Sequence, residues 1–365
     1  MNIRLEEAST ATPQNPQVHL SACPGPELHL SSVVSRQRVR LTQLLYGPMQ
    51  RIATLYGQLV RAQEKPCPYR STVDAFLVEM FASVPCAKYL YVMNTSGVQI
   101  SSSASREGLL PEHFGRCRSD RPYMRETLSA ASFLDRNRES CYQQWTYLEN
   151  NIQAVDFLLC DAYISQNALR PSLTAVFFLR DTEGGHIGFL GADFALRELP
   201  PMPDIYAEIR RPRHFLAAVP VGQGDQTNRL DREIDTIISV IDELITFRGV
   251  YHVKLHFNSS QAVIWQVDDP YRYRLLSILD LLDPDSCLAY PRHTYPTSAQ
   301  VEQSAIRPVL ERWKLLRKDT DIAYLRSASL NIFNGMVGLS FSSDGSHYLP
   351  LEDFLRMDGM AITAP

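Results

Sequence analysis

No stretch of the sequence reaches the roughly 18–20 consecutive apolar residues that a membrane-spanning helix requires. The opening residues, MNIRLEEASTATPQNP, carry acidic side chains where a secretory signal would place its apolar core. A cytoplasmic location, with no membrane partner, is the expectation. A concentrated basic block is also missing: 36 Lys plus Arg stand against 40 Asp plus Glu, a formal net charge of −4. Phosphate backbones call for a dense positive surface, so nucleic acid is not an expected partner. Cysteine is sparse and unpatterned. The seven residues, Cys23, Cys67, Cys86, Cys117, Cys141, Cys160 and Cys287, contain no C-x-x-C. That suits reduced thiols packed as small apolar groups better than a disulfide framework or a zinc site. The phosphate loop G-x-x-x-x-G-K-[ST], the G-x-S-x-G elbow, H-E-x-x-H and the kinase signatures do not occur either. No catalytic residue is therefore named, and a role without enzymatic activity or a cofactor is expected.

What is present is ordinary globular composition, 45% hydrophobic and 21% charged over 365 residues, enough for two medium domains. Residues 1–30, rich in Pro, Ser, Thr and Gln without periodicity, predict a disordered tail. From Ser31 to Glu64 the apolar residues Val34, Leu41, Leu44, Leu45, Ile52, Leu55, Tyr56 and Leu59 recur at helical steps. This predicts a long amphipathic helix, bent at Gly47-Pro48. Its apolar stripe is longer than one domain face needs, which motivates a homodimer through this helix. The arginines at 36, 38, 40, 51 and 61 fall between the apolar positions and read as a solvated face.

A second helix is predicted over Ser71–Ser83. In the run KYLYVMNTSGVQISSS that follows, Asn94 and Gly97 supply the conformations of a hairpin turn. SLTAVFFLRDTEGGHIGFLGADFAL repeats that arrangement around Asp181–Gly185. Helix, hairpin, helical insert and closing hairpin describe an α+β, PAS-like module over 31–199. The proline-rich stretch 200–229 reads as a connector. Residues 230–365 then repeat the order: a helix through Leu230, Ile234, Ile237, Ile238, Ile241, Leu244 and Ile245, the hairpin VYHVKLHFNSSQAVIWQVDD, a helix over Ile306–Lys318 and a closing strand pair. A second α+β domain follows, with a second PAS-like unit left open. Within it DDPYRYR, Asp268–Arg274, reads as a turn and a helix start. His252, His256, Asp268 and Asp269 lie near one another in sequence but fall short of a metal set.

RCRSDRPYMRETL, Arg116–Leu128, crowds four arginines into a short run. Arg121 precedes a proline and so favours extended geometry, while Pro122 suits the first position of a helix. A guanidinium beside a helix start welcomes an anion, and its planar fork matches a carboxylate. Taken with YIS at Tyr163–Ser165 and RDTEGGHIGFLGADFAL, this run resembles the PDC fold of the Cache sensor superfamily, the ligand-binding modules of bacterial chemoreceptors and sensor kinases. The resemblance covers roughly Ser31–Leu199.

For its amino-acid-binding branch, the resemblance implies that Arg121 and Tyr123 grip a ligand carboxylate while Tyr163 and Asp193 hold an amino group. Ser165 stands where that branch is usually acidic, and Met124 where it has a second aromatic. The expectation is a bacterial sensor of a small carboxylate or amino-acid-like metabolite. Its ligand-binding residues would be Arg121, Tyr123, Tyr163, Ser165 and Asp193, and it would signal by conformational change to a protein partner. The competing reading is a scaffold without a ligand, acting on a regulatory enzyme through residues 230–365.

Overall fold

The computed structural model describes residues 27–62, 69–136, 156–181, 183–200, 229–318, 325–342 and 345–356. The expected connector, apart from its end residues, and most of the expected tail lie outside them. The chain is a mixed α/β protein with two antiparallel sheets and a long N-terminal helix, α1 (Glu27–Ala62). No described helix is long and apolar enough to cross a membrane.

The first half continues with α2 (Arg70–Phe81), β1 (Tyr89–Met93), β2 (Ser103–Ser105), β3 (Gly108–Leu110), α3 (Pro122–Arg136), β4 (Phe157–Leu159), β5 (Tyr163–Ile164), β6 (Pro171–Arg180) and β7 (His186–Ala195). Its strands run in the order β3-β2-β1-β7-β6-β4, with β5 also on β6. The turn after β1 forms as its residues dictate: Asn94 Oδ1 accepts from the amides of Ser96 and Val98, and Gly97 takes φ 78°. The returning chain pairs first through a single bridge, Met93↔Gln99. Ser101 Oγ takes the Val92 amide that a backbone carbonyl would otherwise accept, and regular pairing resumes only at Leu90↔Ala104.

The second half holds α4 (Ile234–Phe247), β8 (Val250–His256), β9 (Gln261–Gln266), β10 (Asp269–Leu276), α5 (Ile278–Leu282), α6 (Ile306–Lys318), β11 (Leu325–Asn331), β12 (Met336–Phe341), β13 (Ser346–Pro350) and α7 (Leu351–Arg356). Its order is β10-β9-β8-β11-β12-β13. In the first sheet β1 pairs with the last strand. Here β8 pairs with the first strand after the helical insert, so the second sheet does not repeat the connections of the first. DDPYRYR begins in a turn at Asp268 as expected, but a strand follows in place of the helix start: Tyr273, Arg274, Leu275 and Leu276 pair with β9, and alternating β-formers favour that extended edge. His252 lies stacked on Trp265, ring centroids 4.3 Å apart, and no cluster of three metal-ligand side chains exists among the described residues.

α1 runs unbroken through Pro48. Its stripe, Leu41, Leu45, Met49, Ile52 and Tyr56, is buried inside the chain against β6 and the 3-10 segment Pro284–Ala289. Much of the surface that motivated a homodimer is thus covered within the chain, while Leu44 of the same stripe stays exposed. Arg38 is no solvated bystander: it bonds Asp285 at 2.8 Å and the carbonyls of Leu159 and Cys160, tying α1 to both halves. Buried residues of both sheets and of α1 and α4 form one continuous apolar cluster, and a smaller cluster lies on the opposite face of the first sheet.

Candidate functional site

Side chains alternate across a strand, so the register of three central strands decides what meets on that opposite face. Asp193 on β7 lies between Tyr89 on β1 and Thr174 on β6, and Gly191 lies between Tyr91 and Val176. Leu190, Ala192 and Phe194, the intervening residues of β7, point into the large core. α3 and β5 bring Tyr123 and Tyr163 over the same face, their rings 5.5 Å apart.

Asp193 is the centre of the resulting network. Its Oδ1 accepts from Tyr91 Oη at 2.9 Å and from Thr174 Oγ1 at 2.8 Å. Tyr91 has a single O–H, which Asp193 takes, so the 3.2 Å contact between Tyr91 and Tyr123 has Tyr123 donating. Thr174 likewise spends its proton on Asp193 and accepts from Tyr163 at 2.9 Å. Two chains of hydroxyls therefore converge on one carboxylate.

The cation of the site is Arg118. Its Nη1 donates to Tyr123 Oη at 3.1 Å, its Nε donates to Gln99 Oε1 at 2.8 Å, and its guanidinium lies 4.1 Å from the centroid of the Tyr91 ring. Gln99 is in turn fixed by donating to Ser103 Oγ and the Ser101 carbonyl. Nη1 stands 3.9 Å from Asp193 Oδ2, beyond hydrogen-bond range. Among the described residues, neither Asp193 Oδ2 nor Arg118 Nη2 has a hydrogen-bond partner. The two side chains are only 14% and 11% exposed, so an ionic pair sits in a sheltered place with one free acceptor on the carboxylate and one free donor on the guanidinium.

Burial raises the pKa of Tyr91 and Tyr163 well above the ordinary phenol value, and the Asp193 charge adds to it; Tyr123 is raised for the same reasons. All three stay neutral hydrogen-bonding groups at physiological pH. Burial works against the Arg118 charge, yet Tyr91, Asp193 and Tyr123 hold its pKa above the usual value. Since the phenols are neutral, Asp193 is the partner that matters.

Of the residues expected from sequence, Tyr123, Tyr163 and Asp193 come together. Arg121 does not join them: its backbone starts α3, accepting from Met124 and Arg125, and its side chain makes no hydrogen bond or ion pair among the described residues. The amide of Arg121 bonds the Arg118 carbonyl at 2.9 Å, and this turn carries the earlier arginine inward. Ser165 closes the β5–β6 loop instead, donating its amide to the Arg170 carbonyl and accepting from the Leu169 amide. Met124 is buried in the small cluster. Tyr91, Gln99, Arg118 and Thr174 were not expected. Thr174 had a visible signal, the one hydroxyl inside the apolar run LTAVFFL; nothing in the sequence separates Arg118 from its three neighbouring arginines.

No family model and no curated protein matches the chain. Among solved structures, an extracellular ligand-binding receptor from Desulfohalobium retbaense aligns at 12% identity over 50% of this chain and 27% of its own, TM-score 0.26. The ligand-binding domain of the Campylobacter jejuni chemoreceptor Tlp3 in complex with 4-methylisoleucine aligns at 15% identity, TM-score 0.23. The same domain in complex with L-valine aligns at 17% identity, TM-score 0.20. Both Tlp3 alignments cover 46% of this chain, and they span 60% and 63% of the matched chains. At these scores the alignments carry no argument about fold or ligand, and the reading rests on the geometry of the site.

Proposed function

We propose that the protein is a non-catalytic, bacterial, cytoplasmic sensor whose first half, in the manner of a PDC-type Cache module, binds a small carboxylate-bearing or amino-acid-like metabolite. Arg118 takes the carboxylate through Nη2 and Nη1. Asp193 Oδ2 accepts from an amino or hydroxyl group of the same ligand, and Tyr123 and Tyr163 form an aromatic wall. One observation carries this reading: Arg118 and Asp193 stand 3.9 Å apart, sheltered among neutral phenols, and each keeps one polar atom, Nη2 and Oδ2, without a hydrogen-bond partner among the described residues. A ligand bridging the two adds hydrogen bonds to charges already desolvated, the setting in which such bonds are strong. The ligand must favour one state of the protein to produce a signal.

A thermal-shift screen of amino acids, short dicarboxylates and amines tests this. A ligand at 100 times its dissociation constant should add about 2.7 kcal/mol of stability, a rise of several degrees. Arg118→Ala should abolish the rise, read against that variant's own baseline, because losing a buried charge partner costs about 2–5 kcal/mol of binding. Arg121→Ala should keep it. A silent panel would return the protein to the scaffold reading, and the reverse pattern in the two variants would place the site around Arg121.

A further inference from the structure

The site has a second end. Tyr163 and Thr174 stand on β5 and β6, and the loop joining those strands contacts the second half. This loop is tight: Ser165 exchanges backbone hydrogen bonds with Arg170 and Leu169 at 2.9 and 2.8 Å, and Leu169 sits at φ 50°. Arg170 follows at its base and lies 3.4 Å from Asp242 of α4, whose side chain is 1% exposed. Neither Asp242 oxygen has a hydrogen bond among the described residues, so this ion pair is the main compensation for a buried carboxylate. Arg307 of α6 donates to the Leu169 carbonyl at 3.3 Å and to Ser239 Oγ of α4 at 3.1 Å. The hairpin is therefore held at its stem by the hydroxyl chain ending on Asp193 and at its tip by two helices of the other half.

We propose that the β5–β6 hairpin is the output lever of the site: it couples the Tyr163–Thr174–Asp193 chain to α4 and α6 through Arg170–Asp242 and Leu169–Arg307. The idea rests on the sensing role proposed above. Occupancy that changes how Tyr163 and Thr174 bond to Asp193 shifts the stem, and the stiff loop passes the shift to a buried ion pair that tolerates little displacement. α6 then moves or loosens, since Arg307 binds the same loop. A coupled element with two arrangements, biased from either end, is what such transmission requires.

Hydrogen exchange on the full chain tests the lever without any ligand. Thr174→Val cuts the hydroxyl chain while keeping side-chain volume, and should speed amide exchange in α6 about tenfold. Tyr163→Phe, one link further out, should do the same. In an Arg307→Gln background the link from the loop to α6 is already cut, and adding Thr174→Val should change α6 no further, the non-additivity expected of groups acting in series. Val176→Ala, on the same face of β6 but outside the chain, should leave α6 unchanged. Unaltered α6 exchange in Thr174→Val and Tyr163→Phe, additive effects with Arg307→Gln, or equal loosening by Val176→Ala would each overturn the lever. A silent metabolite panel would instead overturn the sensing role and leave this mechanical link standing.

Discussion

Gly191 shows how a single missing side chain builds the site. A Cβ there would stand 2.5 Å from Tyr91 Cε2 and 2.7 Å from Cζ, and Tyr91 is fully buried. The ring can reach Asp193 only because its neighbour across the strands is glycine. Gly191→Ala should force the ring aside, break the Tyr91–Asp193 bond and destabilise the protein by about 1–3 kcal/mol, as overpacking does. Urea denaturation measures this, and stability equal to wild type would mean the ring has somewhere else to go. The same residue explains how much of the site could be read beforehand. The resemblance to Cache sensors, through RPYM, YIS and GADF, pointed to Tyr123, Tyr163 and Asp193, which the fold brings together. The identity of the arginine depended on a three-residue turn between Arg118 and Arg121 that composition does not encode. Ser165 was assigned by analogy of position and went to loop closure instead, its backbone groups bonding Arg170 and Leu169.

Among the elements, α1 was legible because its apolar residues repeat with helical period over a long run, and β10 was not, because its charges and tyrosines suit an exposed edge and a turn equally well. What the helical stripe could not reveal was its partner. The chain's own β6 and the Pro284–Ala289 segment cover it, where a second copy was expected. Gly47 is the weak point of this helix. It is helical and exposed, and an added Cβ would meet nothing within 4 Å. Gly47→Ala should nevertheless gain little, because the roughly 0.5–1 kcal/mol of backbone entropy that glycine loses on folding is offset by the clash of Pro48 with a Cβ on the helical residue before it. A thermal midpoint that rises by several degrees would show that Pro48 leaves room for that Cβ.

For the whole molecule, the continuous cluster from α1 to the second sheet means that the halves are joined by packing as well as by chain. The polar clamp on this junction, Arg38 with Asp285, has a cost. Burial pushes the Asp285 carboxyl up to about 6 from 3.8, with Arg38 opposing, and one of its oxygens is buried without a partner. Because the folded value lies above the unfolded one, the stability linked to this proton is fully present below pH 3.8 and lost as pH rises through about 6. At about 1.4 kcal/mol per pH unit the span is on the order of 3 kcal/mol. Asp285→Asn, which cannot titrate, should flatten the decline in melting temperature between about pH 4 and 6, the window this shift defines. Calorimetry across that range would refute the assignment if the variant and wild type lose stability in parallel.

β7 carries two messages in one ten-residue strand: Phe189, Gly191 and Asp193 belong to the ligand face, and Leu190, Ala192 and Phe194 to the common core. Inserting one residue ahead of Phe189 would exchange the two sets, sinking a carboxylate into hydrocarbon and turning leucine toward the tyrosines. Binding chemistry and structural integrity thus share a reading frame, and neither can drift by a single position without ruining the other.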